Sequence, residues 1–211
     1  MRVATSLFVV CSACADPSPN DPPVSLRDRL ERGDASLAIV PAASAGAIAA
    51  SHRVVGQWRS GLVDLKLRGG ELALSLDRAG VLTLERLAIA LDPIAIPDTV
   101  LGYDVQLTDV AIALAEPVRI ATTAWNGDDE SRGTAALELE LAWSLTSHGS
   151  TSPLGAPRLP PIPISLEVSG TGSVVDAELR AQALGELWSW AGLVRLEDLS
   201  LIVAATTRAP P

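Results

Sequence analysis

Few residues in this 211-residue chain are of types that do chemistry, and their spacing decides what they could do. Catalysis requires a poised acid, base, nucleophile or metal. The histidines are His52, at the opening of a strand-like segment, and His148, in a Ser/Thr/Gly stretch that solvent would surround. There is no His-x-x-x-His pair, no Gly-x-Ser-x-Gly elbow and no cysteine after Cys14. Nothing local favours a Ser/His/Asp set drawn from distant positions, so the reading is non-enzymatic, with no catalytic residue and no cofactor. Asn126-Gly127-Asp128-Asp129-Glu130 brings three carboxylates together, hard oxygen donors of the kind calcium accepts. The run lacks the alternate-position spacing of a calcium loop, and Asn-Gly is a strong hairpin-turn signal. It reads as a solvated turn and not as a metal site. Gly170-Thr171-Gly172-Ser173 has the glycines of a phosphate-cradling loop but neither the lysine nor a following helix, and a tight turn is expected there.

The chemistry the sequence does advertise is at its start. Met1-Arg2 is followed by the uncharged stretch from Val3 to Val10 and then by Cys11-Ser12-Ala13-Cys14. A positive start, a short apolar run and small residues before a cut site are the parts of a secretory signal. The tetrapeptide resembles the bacterial lipoprotein lipobox at Ser12, Ala13 and Cys14, and departs from it at Cys11, where that family usually has leucine. The resemblance implies acylation of Cys14, residues 1–13 as a removed signal, and anchoring to an inner or outer membrane on the side of the periplasm or exterior. Two alternatives stay open. Ala13-Cys14-Ala15 also fits the A-x-A rule of ordinary signal peptidase, which would give a secreted soluble protein, and the segment could remain uncleaved. After Cys14, residues 14–24 carry four prolines between Asp16 and Pro23. Proline fixes φ and removes donors, so this reads as a semi-extended spacer.

Composition narrows the partners. The net charge is −9, and the arginines are scattered singly, with Lys66 the one lysine. A nucleic-acid partner demands clustered cations and is excluded on that ground. Apolar residues make up 48% of the chain but aromatics only 3%, so aliphatic side chains must fill the core.

The elements that follow are mainly β. Val24–Gly33 predicts one short N-terminal helix, capped by Ser25, with Leu26 and Leu30 on one face and Gly33 at its end. The uncharged stretch Ala35–Ser51 reads as a strand at Ser36–Val40 and then small-residue packing, since it is too alanine-rich and too interrupted for a membrane span. Period-two alternation then marks Val63–Leu67, Leu72–Leu76, Val81–Leu91, Tyr103–Leu114, Ala135–Leu145, Ile162–Val168, Val175–Ala181 and Leu196–Val203. Gly69-Gly70 and Asp77–Gly80 read as hairpin turns, and Leu184–Val194 as a short helix or irregular turn. Thr146–Pro163 reads as a long loop or hinge. Within it Arg158–Pro163 resembles the proline-rich ligands of SH3 domains, though a stiff loop is the expectation. The resulting expectation is an antiparallel meander of about eight to ten strands forming a sandwich or curved groove, one domain over residues 25–205, with a disordered tail at 206–211.

One pattern recurs: Leu84-Glu85-Arg86-Leu87, Leu107-Thr108-Asp109-Val110 and Leu196-Glu197-Asp198-Leu199, each followed by strict alternation. Two consecutive polar residues break period two, which predicts a β-bulge in each copy. Strands of this type, over residues 60–120 and 160–205, resemble the β-groove lipid-transfer proteins of bacterial envelopes (the AsmA-like group) and the tubular lipid-binding domains. The resemblance implies a lipid-carrying or lipid-sensing role and carries over no functional residue. The functional expectation is an envelope-anchored lipoprotein with a non-catalytic binding or structural role, in contact with lipid acyl chains or an envelope protein partner. The alternatives are a β-sandwich interaction module without lipid, and a secreted protein or unrecognised enzyme.

Overall fold

The computed structural model describes residues 24–33, 35–54, 56–96, 105–147, 149–155, 157–171, 173–190 and 194–207. The expectations for 1–13, for Cys14 and the spacer up to Pro23, for His148 and for the tail beyond Thr207 fall outside them.

The chain is mainly antiparallel β with one short helix, as the alternation requires. Strand segments outnumber expectation: among the described residues there are fifteen, strung along eight long runs. The first run is β1 (Ala35–Ile39) and β2 (Ala45–Val54), joined through a 3₁₀ turn at Pro41–Ala43. The second is β3 (Gln57–Leu65) and β4 (Leu67–Leu76), and the third β5 (Leu82–Leu91) and β6 (Ile94–Ile96). The fourth holds β7 (Val105–Leu114), β8 (Val118–Arg119) and β9 (Ala121–Trp125). Then come β10 (Glu130–Leu137) with β11 (Leu139–Ser147), β12 (Ser150–Gly155) with β13 (Ile162–Thr171), β14 (Val174–Trp190) and β15 (Val194–Thr206).

Each run pairs antiparallel with the next, and the last pairs with the first. Ladder partners can be followed right round: Ser169 to Asp176, Thr206, Ala38, Glu71, Ala88, Ala113, Glu140 and Arg158. The walk returns to the sixth run eleven residues before its start, which is the stagger of strands tilted around a closed ladder. Closure is confined to one end. Among the described residues no ladder joins β3 to β6, although the two lie side by side, and none joins β12 to β14. There the sheet parts into two leaves. The first holds β3, β2, β15 and β14; the second holds β6, β7, β11 and β12. Exchanging runs one to four with runs five to eight maps one leaf onto the other.

Helix α1 (Leu26–Arg32) closes the ring end. Ser25 accepts a bond from the Asp28 amide and Gly33 adopts the left-handed conformation, φ 77°, as the capping pattern predicts. Leu26 and Leu30 are buried, and the helix is held by two hairpin turns, β9–β10 and β13–β14. The Arg27 amide donates to the Asp128 carbonyl, the Leu26 amide to Asp129 Oδ1, and the Arg29 guanidinium to the Ser173 carbonyl.

The apolar faces of all eight runs meet in one core, so opposite walls of a single ladder cover each other. Leu87 (1% exposed) and Val110 (3%) sit in it. The recurring motif forms bulges in all three copies. Glu85 is the extra residue against β4, Asp109 and Val110 together face Trp143, and Asp198 is extra against β2. Asp109 and Asp198 take positive φ, 54° and 50°, and are the non-glycine residues that do so among those described.

Four expectations are corrected. Gly69-Gly70 is not a turn: the second run continues through it, and the pair is laddered to Ala90 and Ile89 just after a bulge at Arg68 inside β4. Gly70 is required because a Cβ there would lie 2.0 Å from the Ala88 carbonyl. Leu184–Trp190 is strand, bent by a bulge in which the Gly185 amide donates to Asp198 Oδ1. Residues 45–54 are strand β2 and not merely small-residue packing. The stretch 146–163 holds β12, and Leu159 exchanges backbone contact with Leu139. Leu159 and Ile162 are core residues and pin the proline-rich segment to the sheet, while Arg158, Pro160, Pro161 and Pro163 are exposed.

Candidate apolar site between the two leaves

At the end remote from α1 the two leaves face each other without being hydrogen-bonded at their edges. The inward positions on the first leaf include Val63, Leu187 and Leu196, and on the second Ile94, Leu107 and Trp143. Alternation explains why these side chains point inward, because each strand buries every second residue except where a bulge resets the count. Packing loosens along the axis. Leu37, Leu72, Leu82, Leu137 and Leu179, in the closed part, are 0% exposed, whereas Val63, Ile94, Leu107 and Leu187 are each 7% exposed.

Two tryptophans bridge the leaves. Trp143 on β11 meets Trp188 on β14 edge to face, with ring centroids 4.9 Å apart. Both positions depend on bulges. Trp143 lies opposite Asp109–Val110 on one side and beside the extra residue Leu154 on the other, and Trp188 directly follows the extra residue Leu187. An edge-to-face pair contributes about 0.5–1.5 kcal/mol beyond its buried area. Trp143 is 6% exposed, and its indole Nε1 is buried with no hydrogen-bond partner. Buried donors are nearly always paired, so an orphan N–H calls for an explanation.

The outer face of the first leaf is fastened by polar contacts. Ser51 Oγ lies 2.8 Å from both Ser60 Oγ and Glu197 Oε2, and is 2% exposed. The Arg195 guanidinium sits over the Trp58 ring at 4.0 Å, with Nε 3.2 Å from Glu186. These contacts link β2, β3, β14 and β15, so the leaf holds together although both of its edges are unladdered at this end among the described residues.

The residues singled out in the sequence fall elsewhere. Asp128 and Asp129 belong to the hairpin between β9 and β10 and hold α1, and the Asn126 amide donates to Glu130 at 2.9 Å. That bond, with Arg132 beside it, holds the Glu130 carboxyl below its ordinary pKa. Among the described residues no group of three or more His, Cys, Asp or Glu is placed to hold a metal ion. Gly170 and Ser173 flank the turn between β13 and β14, and Gly170 packs on Leu26. Shallow depressions lie over the outer surface, one of about 510 Å³ lined by Ser165, Arg180, Gln182 and Ser200.

Sequence reasoning gave no separate weight to Trp143 or Trp188. The available signal was the recurring bulge motif, since Asp109 of its second copy lies across the ladder from Trp143. Chemically the site offers aliphatic walls, a tryptophan pair and one buried, unpartnered N–H donor, and no ionisable side chain is buried among the described residues. No protein-family model, no curated protein and no solved structure matches the chain.

Proposed function

We propose that this chain is an envelope lipoprotein, anchored through an acylated Cys14, with a non-catalytic binding role in which an acyl chain lodges between the two leaves. The observation that carries the reading is a ladder closed at the end that α1 caps and parted at the other, where the inward residues are aliphatic apart from the Trp143–Trp188 pair. Flexible hydrocarbon suits such walls, because the gain scales with apolar area removed from water and asks for no directional partner. The N-terminal tether enters at the closed end. Residues 14–24 span at most about 35 Å when extended, enough to hold the domain clear of the lipid surface that bears the anchor.

The experiment is native mass spectrometry on the intact chain purified gently from its own host's membranes. The expected spectrum shows an acylated Cys14 and a co-purifying acyl lipid. An unmodified chain beginning after the apolar segment contradicts the anchor, and an acylated chain without lipid contradicts the binding role.

A second reading is favoured by one feature. Strand β3 has nine residues, is unpaired on its outer edge among the described residues, and exposes Leu62 (68%) and Trp58 (36%). A long edge of that kind accepts a strand from a protein partner. Protection of β3 amides from exchange on mixing with envelope extract, with no acyl lipid bound, would support that reading over the first.

A further inference from the structure

The inference rests on the acyl-binding reading and names the chemistry of the ligand's polar end. We propose that the Trp143 indole N–H is the donor that seats a carbonyl or carboxylate oxygen of the bound chain, so the site selects oxygen-bearing acyl ligands over plain hydrocarbon. Three observations meet at this residue. Its Nε1 is buried and unpartnered; among the described residues Ser131 and Arg29 supply the other such atoms, and both of those lie in the closed part, on β10 and in α1. Trp143 faces Trp188 across the line where β12 and β14 are not laddered, so the leaves can part there without breaking backbone bonds. The ladder on both sides of Trp143 is bulged, at Asp109–Val110 and at Leu154, which re-aims this one position on β11.

A phenylalanine or leucine would fill an aliphatic interior without leaving a donor unsatisfied. Retaining the indole there has a chemical use only if an acceptor reaches it, and the donor then rewards ligands carrying one. An ester or carboxylate oxygen is the acceptor that a long apolar chain brings with it. Entry requires the Trp143–Trp188 contact to open, and the ligand oxygen then replaces water that the N–H would otherwise meet only in the parted state.

The test uses the full chain and four probes: dodecanoate, its methyl ester, a phosphatidylglycerol with twelve-carbon chains, and dodecane. Trp143→Phe keeps an aromatic ring and deletes the donor, and Trp58→Phe on the outer face is the control. The expected result is that Trp143→Phe weakens the oxygen-bearing probes by roughly tenfold while dodecane binding is unchanged, and that Trp58→Phe alters neither. Loss for dodecanoate alone identifies a carboxylate ligand, and loss for all three oxygen-bearing probes identifies the carbonyl they share. Should Trp143→Phe fail to fold, the unaltered chain labelled with ¹⁵N-indole tryptophan gives the same answer. Dodecanoate must shift the Trp143 N–H resonance downfield and dodecane must not, with assignment through Phe variants of the other four tryptophans. Equal binding of dodecanoate and dodecane to wild type and to Trp143→Phe overturns the inference and leaves the acyl-binding reading standing. Binding of none of the probes overturns both.

Discussion

Replacing Asp198 tests the reasoning about how this sheet bends. The residue occupies the left-handed region at φ 50°, and its Oδ1 accepts the Gly185 amide at 2.7 Å. That region costs an ordinary L residue roughly 1–2 kcal/mol, and aspartate less because its short side chain bonds locally. The hydrogen bond is exposed, so its net contribution is about 1 kcal/mol. Asp198→Ala loses the bond and meets the backbone cost, for a total near 2 kcal/mol. Asp198→Gly loses the bond but relieves the backbone, and after the added freedom of the unfolded chain should cost about 0.5 kcal/mol. Asp198→Val adds β-branched crowding and should cost about 3 kcal/mol. Urea unfolding at constant slope reads these differences as midpoint shifts. In thermal melts each kcal/mol corresponds to about 2–4 °C for a domain of this size. The order wild type, Gly, Ala, Val is the expectation, and Asp109, at φ 54°, should follow the same order. Equal stability of the Ala and Gly variants, or a Val variant as stable as wild type, would refute the bulge argument.

Three further outcomes follow from the same structure. Gly70→Ala places a Cβ 2.0 Å from the Ala88 carbonyl and should cost more than about 3 kcal/mol, whereas Gly69→Ala, with nothing within 4 Å, should cost clearly less; calorimetric melts compare them. Leu87→Asp buries an unpaired charge at a position 1% exposed and should abolish the cooperative unfolding transition in circular dichroism, so a native-like melt would contradict the core assignment. The Glu71 carboxyl is held below its ordinary value, chiefly by the Ser36 hydroxyl and then by Arg86, and Glu130 by the Asn126 amide and then Arg132. A depressed carboxylate stabilises the fold above its unfolded pKa near 4.5, and that contribution disappears as pH falls through the folded values. The double variant Glu71→Gln/Glu130→Gln should therefore melt below wild type at pH 7, with the gap closing under pH 4.5. A gap that widens in acid would reverse the sign and defeat the argument.

Local pattern disclosed the strands and the helix but not their closure. Alternation over Leu82–Leu91 and Val105–Leu114 is a property of neighbouring residues, and the doubled polar positions correctly announced the bulges at Glu85, Asp109 and Asp198. Gly69-Gly70 misled because the positive φ that paired glycines supply to a turn also occurs inside a strand, here next to the bulge at Arg68. What separates the two is Ala88, eighteen residues onward, whose carbonyl closes on Gly70. Pro153 likewise suggested a loop, yet an edge strand tolerates proline because its outward side needs no donor. The ring depends on β1 and β15 meeting across most of the chain, and the Trp143–Trp188 contact on three bulges acting together. Neither is encoded at any one place. The tight turn at Asp77–Gly80 was legible because Asp77 makes its own turn, its Oδ1 accepting the Ala79 and Val81 amides.

The central claim is that an acyl chain lies between the leaves, and photolabelling tests it most directly. The intact protein is irradiated with a dodecanoate analogue carrying a diazirine at the chain end, and the labelled peptides are mapped. Adducts are expected on inward positions of both leaves, such as Leu107, Trp143, Leu187 and Leu196. Labelling confined to the outward Leu62 and Leu184, or absent from the strands altogether, would contradict it.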